Sequence, residues 1–84
     1  LDRIKSTRYF REQILPKRPY LRADWIGRVL ENPEYRETQE GGRVRHWGYV
    51  DELGKWLRVV TLEDGVTVHN AFPDRRFRKR RKAE

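Results

Sequence analysis

Cysteine is absent from the 84 residues, which excludes a disulfide scaffold, Cys-ligated zinc, an iron–sulfur cluster and a thiol nucleophile. Only two histidines, His46 and His69, remain as nitrogen ligands, so neither a metal site nor a cofactor is expected. Long apolar runs are missing as well. Nothing approaches the roughly eighteen consecutive apolar residues of a membrane span, and the N-terminus has no apolar signal core, so the chain reads as soluble and cytoplasmic, with no membrane partner. Methionine is absent, and the natural start is therefore expected to lie outside this sequence. At 36% hydrophobic residues the chain can bury one modest core in one domain, which a partner would help to complete.

Positive charge is abundant. Twenty Lys and Arg stand against thirteen Asp and Glu, a formal +7, which favours an anionic partner such as nucleic acid. The excess is local: Arg75 to Lys82 reads RRFRKRRK and holds seven basic groups, and the remainder is balanced. The expected organisation is a single domain over residues 1–74 followed by a basic tail over 75–84. In that tail Arg75, Arg76, Arg78, Lys79, Arg80 and Arg81 would meet phosphate.

Periodicity separates the domain into two halves. Leu21, Trp25, Ile26, Val29 and Leu30 form one helical stripe that should end at Asn32-Pro33, because the residue before proline is pushed out of the helical region. Upstream, Ser6 or Thr7 would cap a short helix carrying Tyr9, Phe10 and Ile14, which Pro16 would stop. After Pro33 the period becomes two. Strands are expected at Glu34 to Gln39, Arg43 to Val50, Lys55 to Leu62 and Thr67 to Phe72, with Asp64-Gly65 forming a two-residue type I′ turn. The expected fold class is α+β, one or two N-terminal helices packed on a four-stranded antiparallel meander.

Alternation then assigns faces. Leu57, Val59 and Thr61 oppose Trp56, Arg58, Val60 and Leu62; Val44, His46, Gly48 and Val50 oppose Arg43, Arg45, Trp47 and Tyr49; Val68, Asn70 and Phe72 oppose Thr67, His69 and Ala71. With the more apolar members packed on the helices, the open face collects Arg45, Trp47, Tyr49, Trp56, Arg58 and His69. Aromatics offer stacking platforms to bases, and arginine grips phosphate through two donors. The same set suits metal-free RNA cleavage, with Arg45 and Arg58 holding phosphate, His69 as general acid or base and Tyr49 as a second proton-transfer or positioning group. Simpler readings stand beside these: Trp47 and Trp56 as a cross-strand pair, His69 as a structural histidine, Trp25 as core and His46 facing the helices or an edge.

The run RADWIGRVLENPEYRETQEGGRVRHWGYVDELGKWLRVVTLEDGVTVHNAFPDRRF, Arg22 to Phe77, resembles the small BrnT- and RelE-like toxin domains of the barnase–EndoU–colicin–RelE nuclease superfamily. The likeness is carried by a helix ending in VLENP, the GRVRHWGYV strand, the LRVVTLEDG strand with its turn, and TVHNAFPDR. It implies a metal-independent endoribonuclease acting on RNA, ribosome-associated RNA included, and restrained by a cognate antitoxin. It also implies basic residues at the site, which here fall on Arg45, Arg58 and Arg75-Arg76. Tyr9-Phe10 stands where such relatives often carry a histidine, leaving Tyr9 or Tyr49 as stand-ins. The alternatives are a non-catalytic RNA-binding module, or a partner-docking module whose face meets an apolar ligand.

Overall fold

A computed structural model describes residues 4–78; the roles expected of Lys79, Arg80 and Arg81 lie outside them. The Thr7 hydroxyl accepts the Phe10 amide at 3.1 Å and so starts the first helical segment. A wide turn of π type, Phe10–Ile14, tightens into a 3₁₀ turn, Leu15–Lys17, which contains Pro16. Phe10 and Ile14 are its buried side chains. Helix α1 follows at Ala23–Glu31, buries Trp25, Ile26 and Val29, and ends at Asn32 before Pro33.

Four strands form an antiparallel meander in the order β1-β2-β3-β4: β1 Tyr35–Thr38, β2 Val44–Val50, β3 Lys55–Thr61 and β4 Val68–Pro73. The molecule is thus an α+β fold whose strands lie within about a residue of the hydrophobic alternation. The helices cover one face, where Phe10, Ile14, Trp25, Ile26 and Val29 pack on Val50, Leu57, Val59, Val68 and Ala71. Gly48 permits the close approach of α1, since a Cβ there would meet Val29 Cγ2 at 3.0 Å. The outer edge of β4 is not bare. The Thr7 amide donates to the Val68 carbonyl and the Val68 amide to the Lys5 carbonyl, so residues 5–7 run parallel beside it. No helix among the described residues is long and apolar enough to cross a membrane.

Two expectations are corrected. Asp64-Gly65 is not a type I′ turn, because among the described residues only glycines have positive φ. Instead the Asp64 carboxylate accepts the amides of Val66 and Thr67, each at 2.9 Å, and Gly65 alone adopts positive φ. In β4 strict alternation fails, because a bulge interrupts the pairing between Val60 and Thr61. Val68 and Ala71 are both fully buried although three residues apart. Asn70 and Phe72, which alternation sends to the helices, pair instead with Val60 and Arg58 on the outer face.

On the helix side His46 is buried and its Nε2 lies 3.0 Å from the Thr61 hydroxyl, also buried. Burial, and after it the charge of Arg36, pushes the imidazole below its ordinary 6.5. Below that value the unfolded chain binds a proton that the folded one refuses, so this stability is complete above it and declines as the pH falls through the window beneath it. Thermal unfolding followed from about pH 7.5 to about pH 5.5 should show a falling midpoint, and His46→Gln should flatten the decline. His69 is displaced the same way, by burial and then by Arg43, so a residual slope should survive in His46→Gln and vanish in the double variant.

Candidate nucleic-acid interface

The outer face of the sheet is organised by Asp74, the residue after β4. Its amide donates to the Trp56 carbonyl at 2.8 Å, and its carboxylate points back over the strands. One oxygen, Oδ2, accepts the Trp47 indole N–H at 3.0 Å and Arg58 Nη2 and Nε at 2.9 and 3.2 Å. The other accepts the Arg76 amide at 3.1 Å and turns the chain. Burial alone pushes this carboxyl up; the Trp47 indole, the Arg58 guanidinium and the Arg76 amide outweigh it and hold the group below its ordinary value.

The turn folds Arg75–Arg78 back across the sheet. Phe77 stacks on Trp47 with centroids 4.9 Å apart, meets Trp56 edge-on at 4.9 Å and reaches Tyr35 at 6.0 Å. Packed structure therefore continues past residue 74, into the first residues of the expected basic tail. Trp47, expected as an open stacking platform, is left only 5% exposed. Trp56 remains half-buried, with Tyr49 edge-on to it at 5.5 Å.

The expected catalytic residues are dispersed. Arg58 is held by Asp74, with its guanidinium 4.6 Å from the Phe72 ring and 5.5 Å from that of Trp47, and is not a free phosphate ligand. Arg45 Nε donates to Gln39 at 2.9 Å and Nη1 to Glu37 at 3.3 Å, with side chains a third or more exposed, a pairing weak enough for a phosphate to compete with. Tyr49 is 47% exposed at the far end of β2, four residues or roughly 13 Å along the strand from Arg45. His69 sits at another corner, its ring stacked on Tyr9 at 4.9 Å and its Nδ1 3.1 Å from the Thr7 hydroxyl. The same hydroxyl accepts the Phe10 amide, and it can still either donate to Nδ1 or accept from it, according to the tautomer of the ring. Arg45 lies across β3 from Asn70, so roughly 10 Å of sheet separates it from the His69 strand.

What the fold does bring together is a groove of about 430 Å³ lined by Tyr35, Glu37, Arg45, Trp47, Arg76, Phe77 and Arg78. Three arginines face one carboxylate there, beside aromatic rings from β1, β2 and the folded-back segment. Arg78 Nη1 donates to the carbonyls of Arg75 and Phe77, and among the described residues no carboxylate pairs with its guanidinium. Tyr35, Glu37 and Phe77 were not among the expected binding residues. Phe77 carried a signal, as the lone aromatic in a basic run, whereas the role of Asp74 had none beyond its place after a proline. The described residues contain no cluster of three or more potential metal ligands.

Phe77→Ala should destabilise the fold by roughly 1–3 kcal/mol and shift tryptophan emission to the red in urea unfolding, because it uncovers Trp47. Asp74→Ala should cost a similar amount, since it leaves Arg58 and the Trp47 indole without an acceptor, and Arg58→Met in the same chain should recover part of it. No family model matches the chain, nor does any curated protein or solved structure.

Proposed function

We propose that the protein is an RNA-binding module that takes a single strand along the groove between β1–β2 and the folded-back segment. The carrying observation is the lining of that groove, Arg45, Arg76 and Arg78 against Glu37 alone, with Tyr35 and Phe77 presenting rings beside the charges. Arginine on phosphate supplies affinity without regard to sequence, and ring contact with unpaired bases adds roughly 1–3 kcal/mol per base. Docking of an apolar partner finds less support. Among the described residues the exposed large hydrophobic side chains are Tyr9, Tyr20, Tyr49 and Val66, which come from four different segments, while Phe77 covers Trp47.

Binding is tested by the anisotropy of a labelled single-stranded RNA at several salt concentrations. Arg45→Gln, Arg76→Gln and Arg78→Gln should each weaken binding and lower the log–log salt slope by about 0.7, the value for one phosphate contact on a single strand. Unchanged affinity in the triple variant would sink the groove as the binding site.

A second reading, metal-independent cleavage of that RNA by a toxin-like domain under the control of an antitoxin, is favoured by the His69 corner. There Thr7 contacts Nδ1, Tyr9 stacks on the ring, and the half-buried imidazole keeps a second nitrogen with which to exchange a proton. In that reaction the 2′-hydroxyl gives up its proton to a base and attacks the adjacent phosphorus, the phosphorus–5′-oxygen bond breaks, and the leaving 5′-oxygen takes a proton from an acid. Cleavage should then persist in chelator, yield 2′,3′-cyclic phosphate ends and fall roughly 10²- to 10⁴-fold in His69→Ala with RNA affinity little changed. RNA recovered intact, both naked and on ribosomes, would leave the binding reading alone.

A further inference from the structure

A second concavity lies beside the folded-back segment. Arg18 and Tyr20 from the loop after the first helical segment, Leu53 from the β2–β3 turn, Lys55 from β3, Phe72 and Pro73 from the end of β4 and Arg75 enclose a cleft of about 510 Å³. That is within the roughly 300–1,000 Å³ range of small-molecule sites. Three cations from three separate parts of the fold line it, and no carboxylate among the described residues does.

The missing counter-charge follows from the packing. Two carboxylates are adjacent in sequence to lining residues, and both are engaged elsewhere. Glu52, before Leu53, binds Arg28 at 2.9 Å. Asp74, between Pro73 and Arg75, is turned towards Arg58 and Trp47. Arg18 is oriented by Asn70 at 3.4 Å and by the Phe72 ring at 5.6 Å, contacts that hold the guanidinium without neutralising it. Arg18, Lys55 and Arg75 have no carboxylate partner among the described residues. Three like charges held together repel one another, and an anion placed among them relieves that repulsion.

The cleft also offers a ring. Phe72 already carries the guanidiniums of Arg18 and Arg58, but Tyr20 is 46% exposed and stacks on no other ring among the described residues. We propose that this cleft binds a nucleotide bearing a terminal phosphate, with Arg18, Lys55 and Arg75 on the phosphate and Tyr20 against the base. A terminal phosphate carries about −1.5 to −2 charges against −1 for an internal diester, so a three-cation site favours the end of a strand, or a free nucleotide, over the middle of one. The assignment does not depend on the RNA groove.

The test is calorimetric titration with 5′-AMP, adenosine and inorganic phosphate, and in parallel with one RNA oligonucleotide carrying either a 5′-phosphate or a 5′-hydroxyl. AMP should bind at least roughly tenfold more tightly than adenosine or phosphate, because neither fragment engages both halves of the site. The paired substitution of Lys55 and Arg75 by glutamine should remove roughly tenfold of that affinity, and Tyr20→Ala a few-fold for AMP but none for phosphate. A 5′-phosphate gain on the oligonucleotide that disappears in the paired variant identifies an RNA end as the source. AMP binding without that gain identifies a free nucleotide. The proposal fails if AMP binds no better than adenosine and the two oligonucleotides bind alike, or if both variants keep full AMP affinity. The 5′-hydroxyl oligonucleotide should bind wild type and paired variant equally, which separates failure here from failure of the groove.

Discussion

A single carboxylate, Asp74, ties the outer face of the sheet together. It is 9% exposed and bonds an indole, a guanidinium and a backbone amide at once. A carboxylate that desolvated is unfavourable alone, and so is the Arg58 guanidinium between two rings; each makes the other tolerable. Their pairing has a geometric effect larger than its electrostatic one. Because Oδ1 captures the Arg76 amide, the chain turns back instead of leaving along β4, and Phe77 is laid on Trp47. A face that would otherwise present bare tryptophans becomes a second, smaller core of Tyr35, Trp47, Trp56 and Phe77.

That arrangement sorts the arginines into two kinds. Arg58, in the middle of a central strand, is neutralised and serves the fold. Arg75, Arg76 and Arg78 ride on the folded-back segment, and their side chains are divided between the two concavities: Arg75 lines the cleft, Arg76 and Arg78 the groove. A segment that looks in sequence like an undifferentiated basic arm thereby contributes to two concavities of different character. One offers aromatic surface beside a partly compensated charge, the other presents three cations that pair with no carboxylate among the described residues, beside the exposed Tyr20 ring.

The fold was largely legible because burial on one side imposes a period. The stripe from Leu21 to Leu30 and the alternation through Val44–Val50 and Leu57–Thr61 each admit one orientation against the core. Legibility ended where a local interaction overrode the period. Nothing in Val68 to Phe72 announces a bulge, yet it moves Asn70 and Phe72 to the outer face and gives Arg18 and Arg58 a ring to rest on. The Asp64 turn departs from type I′ for a related reason. Asp-Gly tolerates positive φ at both positions, but an aspartate that can accept two amides has a competing conformation at negative φ.

The candidate site was legible in composition but not in geometry, and charge neutralisation explains the difference. Alternation finds residues that share a face; it is blind to which of them meet a counter-ion from a distant loop. Arg58 and Arg45 look equivalent in the strand pattern. One is held by a nearly buried carboxylate from beyond β4, the other by a partly exposed glutamate on the neighbouring edge strand. An incoming phosphate can displace the second partner at little loss, since exposed pairs contribute about 0–1 kcal/mol, whereas displacing the first would also expose the Trp47 indole and loosen Phe77. Positive charge that can be reached without dismantling the fold therefore lies away from the centre of the sheet, at Arg45 on one margin and in the Arg18–Lys55–Arg75 cleft on the other.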